Sequence, residues 1–424
     1  METSIIITIV MFLFVAVCLF TNKVPGSVAC GIAVMVLWIA GVLADEQVYA
    51  NFISSSIISM IGMMILTGAV IKTDLLVNIA ALIKKFKGGE TIILVACMFI
   101  PFILCQFIGG VTAMITIIPL GIALAEAAGI APTKIVLPAS VGAQAGLTAL
   151  PIGNAAVQYQ VKNTILEGLG ITDQAVGFWD LSFSRLPSTI IVMLFVIFIG
   201  KKLLPSRSLA QSDMLDPNAN QLKKSSFSKG QQYCIYLIFI ASLVLISMKV
   251  NSMLVSTCAA LLVILLRFLK EREAWSSVNW SLIFMMGFML TIATALGSSG
   301  AGQIMADLLQ PVYGCGSPFI ATSVTFIVAA VLTQFMDNMS LINILTPICA
   351  LAAYSNGIPV IPVVLALHAS CLVSFSTPLA SPSSLLAYQL GGYSMKEMLK
   401  FNLPLVLISS ITSIIWISIY CGLL

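Results

Sequence analysis

Residues 332–347 read Leu-Thr-Gln-Phe-Met-Asp-Asn-Met-Ser-Leu-Ile-Asn-Ile-Leu-Thr-Pro and lie inside a long apolar region. The middle of this stretch places a carboxylate, an amide and a hydroxyl close together, those of Asp337, Asn338 and Ser340. In a membrane, polar side chains and interrupted backbone are tolerated only where they line a cavity or pair with another group. Two apolar arms that meet at a polar tip therefore predict a re-entrant hairpin that carries a binding site.

The composition of the chain sets its class. Of the 424 residues, 59% are hydrophobic and 8% are charged, and the mean hydropathy is +1.08. A soluble domain has about 25% charged residues, so this composition predicts a polytopic membrane protein. The ten cysteines form no Cys-x-x-Cys pair, His368 is the one histidine, and no glycine-rich phosphate loop follows a strand pattern. The sequence therefore indicates neither an enzyme, a multi-histidine metal site nor a cofactor.

Apolar runs predict an all-α protein with about ten transmembrane helices and two re-entrant hairpins. Runs near the length of one span, about 20 residues, cover about 4–20, 26–43, 52–71, 131–155, 177–200, 233–248, 250–269, 280–298, 359–383 and 398–422. Two longer regions, 90–128 and 317–356, are interrupted near their middles, and each is predicted to form a hairpin. Segments 73–89 and 300–316 suit short helices in the interface. The first run lacks the basic start of a signal peptide and is predicted to be a retained span.

Basic residues predict the orientation of the chain. The polar loop 201–230 is rich in lysine and should be cytoplasmic, which places the predicted chain termini outside a plasma membrane. Most other lysines and arginines then fall inside, with Lys162 and Lys249 as exceptions. Asp180 and Arg185 begin a span at the outer side and are predicted to anchor it at the head groups.

The loop separates two similar halves, residues 1–200 and 231–424. Three pairs of residues share one offset: Phe107 with Phe335, Pro119 with Pro347, and Gly129 with Gly357. Each half is predicted to contain three spans, a hairpin and two further spans. Since five spans is an odd number, the second half is inverted relative to the first. Inverted repeats with interrupted helices are typical of secondary transporters, whose substrate lies where the repeats meet.

Each half also contains a span interrupted by proline and polar residues, near 148–156 and near 374–385. Proline removes a backbone donor and frees an upstream carbonyl. Free carbonyls and hydroxyls are suitable ligands for a small cation such as Na⁺, and the N-termini of the half-helices that follow attract anions. The pattern predicts one cation site in each half, with one anion site between them.

These tips and interrupted spans resemble the divalent anion:sodium symporter family, part of a superfamily that includes citrate carriers and arsenite permeases. The resemblance covers about 50–155 and 275–400. The family has a Ser-Asn-Thr tip in each hairpin and a Gly/Ala-Thr-Pro motif in each interrupted span. It implies a homodimer in the lipid bilayer, with a small anionic substrate and no nucleic-acid partner.

The second half matches this family pattern more closely than the first. Asp337-Asn338-Met339 stands at the second Ser-Asn-Thr position, Thr333 lies one turn earlier, and Ala380-Ser381-Pro382 stands at the second Gly/Ala-Thr-Pro. The resemblance implies a cation site formed by the side chains of Thr333 and Asn338 and the carbonyls of Met336 and Ala380. Asp337, which stands at the family's serine position, is a further candidate ligand of this cation. The resemblance also implies substrate contacts from Met339, Ser340, Ser381 and Pro382.

The first half departs further from the family. Gly109-Gly110-Val111 replaces its Ser-Asn-Thr, Cys105 stands at the earlier position, and Gly153-Asn154-Ala155 replaces Gly-Thr-Pro. Two side-chain oxygens of the first cation site are lost. The substrate contacts that the resemblance assigns to this half are Gly110, Val111, Thr112, Gly153 and Asn154.

Two titratable residues lie within the apolar regions of the second half. Asp337 could strengthen a cation site, carry a coupling proton, repel a doubly charged anion, or cap the following half-helix. His368 is predicted to be a hydrogen-bonded interior residue rather than a proton relay.

The sequence predicts a secondary transporter that is coupled to Na⁺ or H⁺ and moves a small anion, in particular a carboxylate, by alternating access. No cofactor beyond the coupling cation is expected. The alternatives are a sodium/proton antiporter without organic substrate, a permease for a non-carboxylate anion such as sulfate or arsenite, and a channel or receptor built on a transporter frame.

Overall fold

The computed structural model describes residues 2–21, 23–82, 89–207, 224–335, 338–370, 373–378 and 380–424. Every regular element in these ranges is helical. Most of the predicted linker, residues 208–223, lies outside them.

The described residues of the first half form ten α-helices. They are α1 (Glu2–Thr21), α2 (Gly26–Ile39), α3 (Asp45–Ala50), α4 (Ser55–Ile71), α5 (Leu75–Ala81), α6 (Glu90–Leu104), α7 (Gly110–Ala127), α8 (Thr133–Gly146), α9 (Gln158–Gly168) and α10 (Asp180–Phe198). Short 3₁₀ turns cover Asn51–Ile53, Gly153–Val157 and Gly200–Lys202.

The described residues of the second half form eleven α-helices. They are α11 (Lys229–Ser247), α12 (Ser252–Leu265), α13 (Glu271–Ser276), α14 (Trp280–Ser299), α15 (Ala301–Asp307), α16 (Gln310–Tyr313), α17 (Pro318–Leu332), α18 (Asn338–Ser355), α19 (Val360–Ser370), α20 (Pro382–Gly391) and α21 (Met395–Tyr420).

Within the described part of the chain, seven helical segments are long and apolar enough to cross a membrane. They are Asp45–Ile71, Gly110–Ala127, Asp180–Phe198, Lys229–Ser247, Trp280–Ser299, Asn338–Ser355 and Met395–Tyr420. Six shorter apolar helices accompany them. The predicted all-helical membrane fold is confirmed, while the count of ten spans and the re-entry of the hairpins stay predictions.

Serine side chains start several of these helices, because an N-cap hydroxyl satisfies a free backbone N–H of the first turn. Ser317 and Ser381 cap α17 and α20, and in both helices proline follows as the first helical residue. Ser394 caps α21 in a capping box with Glu397.

The loop that joins the halves contacts the ends of several helices. These contacts show which helix ends lie on the same side of the protein as the loop. Three ion pairs occur in the described residues: Lys72–Glu273, Lys134–Glu90 and Arg207–Glu397. Arg207 belongs to the loop, and its backbone N–H donates to Thr133 Oγ1 at the start of α8. Lys134 lies in the same first turn of α8 and binds Glu90, the first residue of α6. Since α7 ends shortly before α8 begins, the start of α6 and the end of α7 lie on the side of the loop, as a hairpin requires.

The two halves pack across each other. Helix α2 packs against α14, and α4 packs against α12. In each half the first hairpin arm packs against the interrupted span, α6 on α8 and α17 on α19. Gln106 of the first tip and Gln334 of the second are buried, although the inverted-repeat relation itself stays a prediction.

Candidate functional site

The tip of the second hairpin joins the predicted threonine and asparagine. Helix α17 ends at Leu332 and α18 begins at Asn338. Thr333 Oγ1 donates to Asn338 Oδ1 at 2.6 Å, and Asn338 Nδ2 donates to Ser374 Oγ at 3.1 Å. All three residues are buried. The tip and the second interrupted span therefore meet through one amide.

Gln334 fastens the tip to the interrupted span. Its Nε2 donates to the carbonyl oxygens of Ala330 at 2.8 Å and Val373 at 3.2 Å, and its Oε1 accepts from the N–H of Ser376 at 3.1 Å. Its own carbonyl oxygen accepts from Thr377 Oγ1 at 2.6 Å. The side chain thus satisfies backbone groups that the break between α19 and α20 leaves without helical partners.

Hydroxyl groups cluster at the start of α20. Ser381 Oγ accepts from the N–H of Ser384 at 3.1 Å and lies 3.0 Å from Ser383 Oγ. Ala380 and Ser381 are buried, whereas Pro382 is exposed. This helix N-terminus places backbone N–H groups and hydroxyls beside the tip.

Gln144 of the first half reaches into this cluster and was missed by the sequence reasoning. It lies on α8, is 1% exposed, donates Nε2 to Ser374 Oγ and accepts from Ser383 Oγ at 3.4 Å. The available signal was an amide inside the apolar run 131–155. The second-half site is therefore completed by a side chain from the first half.

The tip of the first hairpin repeats part of this arrangement. Helix α6 ends at Leu104 and α7 begins at Gly110. Between them, Gln106 Nε2 donates to the carbonyl oxygens of Phe102, at 3.3 Å, and Gly146. Gln106 and Gln334 share the offset that relates the two hairpins, and the sequence reasoning singled out neither. Unlike Gln334, Gln106 has a buried Oε1 that accepts no hydrogen bond from the described part of the chain.

Gly153 marks the closest approach of the first interrupted span to this tip. Its φ is +59°, and a Cβ there would lie 2.7 Å from the carbonyl oxygen of Gln106. Only glycine combines this backbone conformation with this approach. The predicted first tip and first interruption are thus in contact.

Arg185 lies inside the protein, and the prediction of a head-group anchor for it is wrong. Its side chain is 5% exposed, and Nη1 donates to the carbonyl oxygen of Leu147 and, at 3.2 Å, to Thr148 Oγ1. The end of α8 leaves carbonyls that need donors, which draws the guanidinium inward. His368 is interior as predicted, with Nε2 lying 3.2 Å from Thr148 Oγ1.

Lys162, an exception to the predicted orientation, is buried. It lies on α9 and is 1% exposed, because α9 packs among α4, α14 and α18. The span count alone placed it outside.

The remaining predicted residues occupy varied positions. Gly110 is buried at the first residue of α7, Ser340 is buried, Met339 and Val111 are half-buried, and Thr112 is exposed. Asn154 lies in a 3₁₀ turn. Met336 and Asp337 fall outside the described residues, so their predicted roles stay predictions.

The described cluster around Ser374 presents hydroxyl, amide and carbonyl oxygens. Such hard oxygen ligands suit a small monovalent cation better than a transition metal. The adjoining N-terminus of α20 favours negative charge. The cluster thus offers oxygen atoms suited to a cation and, at the start of α20, N–H groups suited to an anion.

Comparisons with known proteins give consistent matches. A family model described as "Citrate transporter" matches residues 15–370. The sodium-dependent dicarboxylate transporter SdcS of Staphylococcus saprophyticus is 23% identical over 428 residues, covering 91% of this chain and 80% of SdcS. The uncharacterized transporter YfbS of Escherichia coli is 23% identical over 176 residues, which cover 42% of this chain and 29% of YfbS. The match to YfbS therefore spans less than a third of that relative.

A solved structure has the same fold. The YdaH transporter of Alcanivorax borkumensis superposes with a TM-score of 0.62 at 14% sequence identity, covering 89% of this chain and 87% of YdaH.

Proposed function

Because the chain belongs to the citrate transporter family, we propose that it is a cation-coupled secondary transporter that moves a small carboxylate across the plasma membrane by alternating access. The family membership confirms the predicted kinship with citrate carriers, and it identifies a multi-pass membrane transporter rather than an enzyme. The substrate and the coupling ion are the proposed part.

One observation carries the proposal: the hydrogen-bonded series Thr333–Asn338–Ser374 at the meeting of two helix breaks. An amide oxygen can accept a second contact beyond the one from Thr333. Asn338 Oδ1 is therefore available to a cation while the tip remains connected. Na⁺ is the coupling ion that best fits these neutral oxygen ligands, and sodium dependence is also named for SdcS.

We propose that the cation binds first and fixes the tip against the interrupted span. A carboxylate would then bind where the N-terminus of α20 and the start of α18 meet. Positive helix ends and the bound cation would together neutralise its charge. Gln144 would connect this event to the first half, since it binds Ser374 and Ser383 directly.

Uptake into proteoliposomes tests the proposal. Labelled citrate and succinate are offered under an inward Na⁺ gradient, an inward H⁺ gradient, or neither. We expect concentrative uptake with the Na⁺ gradient and its loss in Asn338→Ala. Uptake that needs only the H⁺ gradient would identify H⁺, and not Na⁺, as the coupling ion. Na⁺/H⁺ exchange without any anion would identify an antiporter, and flux that ignores both gradients would identify a channel.

A further inference from the structure

The first half contains a buried positive charge at a position where the second half has an amide. Arg185 on α10 corresponds to Asn402 on α21, and both are buried, with exposures of 5% and 2%. The alignment of the two helices rests on an acidic residue in each first turn and a proline in each interior: Asp180 with Glu397 and Pro187 with Pro404. The charge therefore belongs to one half only.

The described surroundings neutralise Arg185 only in part. Arg185 belongs to none of the three ion pairs among the described residues. Its guanidinium makes two hydrogen bonds to described residues, and Nη1 donates both. The acceptors are Leu147 O and Thr148 Oγ1, where the C-terminus of α8 offers a partial negative charge. A fixed cation away from water is costly unless a further anion approaches it.

Arg185 also lies next to the tip in which glycines stand at the family's Ser-Asn positions. The carbonyl of Gly146 accepts from Gln106 of the first tip, and the carbonyl of the next residue, Leu147, accepts from Arg185. Arg185 thus binds the residue that directly follows Gly146, the residue at which the interrupted span contacts the tip. At the tip itself, Gly109 and Gly110 offer only backbone.

We propose that Arg185 supplies, in the first half, the positive charge that a second bound cation would otherwise supply, and that it attracts the carboxylate of the transported anion. This inference rests on the proposed function and deepens it. The second half uses an exchangeable cation at Thr333 and Asn338, and the first half uses a permanent one. We therefore expect one coupling cation to bind with each transported anion.

Two titrations on the purified full-length protein test this inference. The cation that drives uptake is titrated alone, and citrate is then titrated at saturating cation, each followed by thermal stabilisation. In Arg185→Gln we expect the citrate dissociation constant to rise at least tenfold, while the cation midpoint moves less than twofold. Arg185→Lys keeps the charge, and we expect a rise of less than threefold. In the wild type, the cation dependence of citrate uptake should have a Hill coefficient near one.

Arg207→Gln is the matched control, since it removes the same charge from a partly exposed ion pair at the linker face. It should leave both titrations unchanged. The inference is wrong if Arg185→Gln binds citrate within twofold of the wild type, or if the wild-type Hill coefficient is near two. The Hill coefficient is measured on the wild type, so the test remains possible even if Arg185→Gln does not fold. A wild type that binds no carboxylate at all would overturn the proposed function and this inference together.

Discussion

Asn338 is the residue through which the candidate site is connected. Its amide accepts from the hairpin arm at Thr333 and donates to the interrupted span at Ser374. These two bonds fix which way the amide faces, so its oxygen stays on the side of Thr333. A cation that binds this oxygen would therefore stabilise tip and span at once.

Replacing Asn338 with alanine should weaken cation binding at least tenfold, because a ligand oxygen and both connecting bonds are lost. The measurement is the midpoint of Na⁺-dependent thermal stabilisation. Asn356→Ala is the control, since it removes an asparagine that binds the carbonyl of Ala352 at the far end of the same helix. Equal midpoints for the Asn338 variant and the wild type would remove this residue from the cation site.

The two tip glutamines should differ in their contribution to stability. Gln334 makes three side-chain hydrogen bonds to backbone and Gln106 makes two. At about 1 kcal/mol for each bond, Gln334→Met should lower the free energy of unfolding by about 3 kcal/mol and Gln106→Met by about 2 kcal/mol. Denaturant titration in mixed micelles measures both. The reverse order would contradict the assigned bonding.

At the scale of elements, close packing of α8 against α6 determines where the first interruption lies. A methyl group at Gly142 would overlap the backbone carbonyl of Met98, because the two helices approach to within glycine distance. Small residues are the usual means of such contact between membrane helices. Gln106 follows the end of α6 and binds the carbonyl of Gly146 at the end of α8, so the spacing of these two helices sets the geometry of the first tip.

Gly142→Ala should therefore destabilise the protein by about 1–3 kcal/mol, since a backbone atom cannot turn aside as a side chain can. Gly110→Ala is the matched control, because its new Cβ would lie 3.7 Å from the nearest atom, an ordinary contact. Melting temperatures of the two variants decide the matter. Similar values would indicate that α6 and α8 can separate without cost.

The elements were more predictable from the sequence than the contacts between them. The runs 52–71 and 280–298 closely match α4 and α14, since apolar length identifies a membrane helix directly. Thr333 and Asn338 could be paired because they lie within one tip. Gln144 could not, because its partners are more than two hundred residues away. The prediction for Arg185 is wrong because the local sequence is the same in both cases. An arginine near a helix start can contact lipid head groups or the free carbonyls of an interrupted helix.

At the scale of the whole molecule, the turn between α4 and α5 fastens the first half to the start of the second. Asp74 Oδ1 accepts from the N–H of Ser225 at 2.8 Å, and its Oδ2 accepts from Gln232 Nε2 at 2.8 Å. Gln232 also donates to the carbonyl of Phe227 at 3.1 Å. One carboxylate therefore organises the entry into α11 at the face of the linker.

This contact predicts an acid-sensitive link between the halves. The side-chain hydrogen bond from Gln232, with the backbone N–H of Ser225, lowers the pKa of Asp74 below its ordinary value of 3.8. A carboxyl whose folded pKa is lowered adds stability above its unfolded pKa and loses that contribution as the pH falls through the folded value. Asp74→Asn should therefore melt below the wild type at pH 7, and the gap should shrink below about pH 4. Asp173→Asn, an exposed aspartate, is the control and should show no such gap. A gap between wild type and Asp74→Asn that stays constant into acid would mean that the shape of the side chain, and not its charge, holds the halves together.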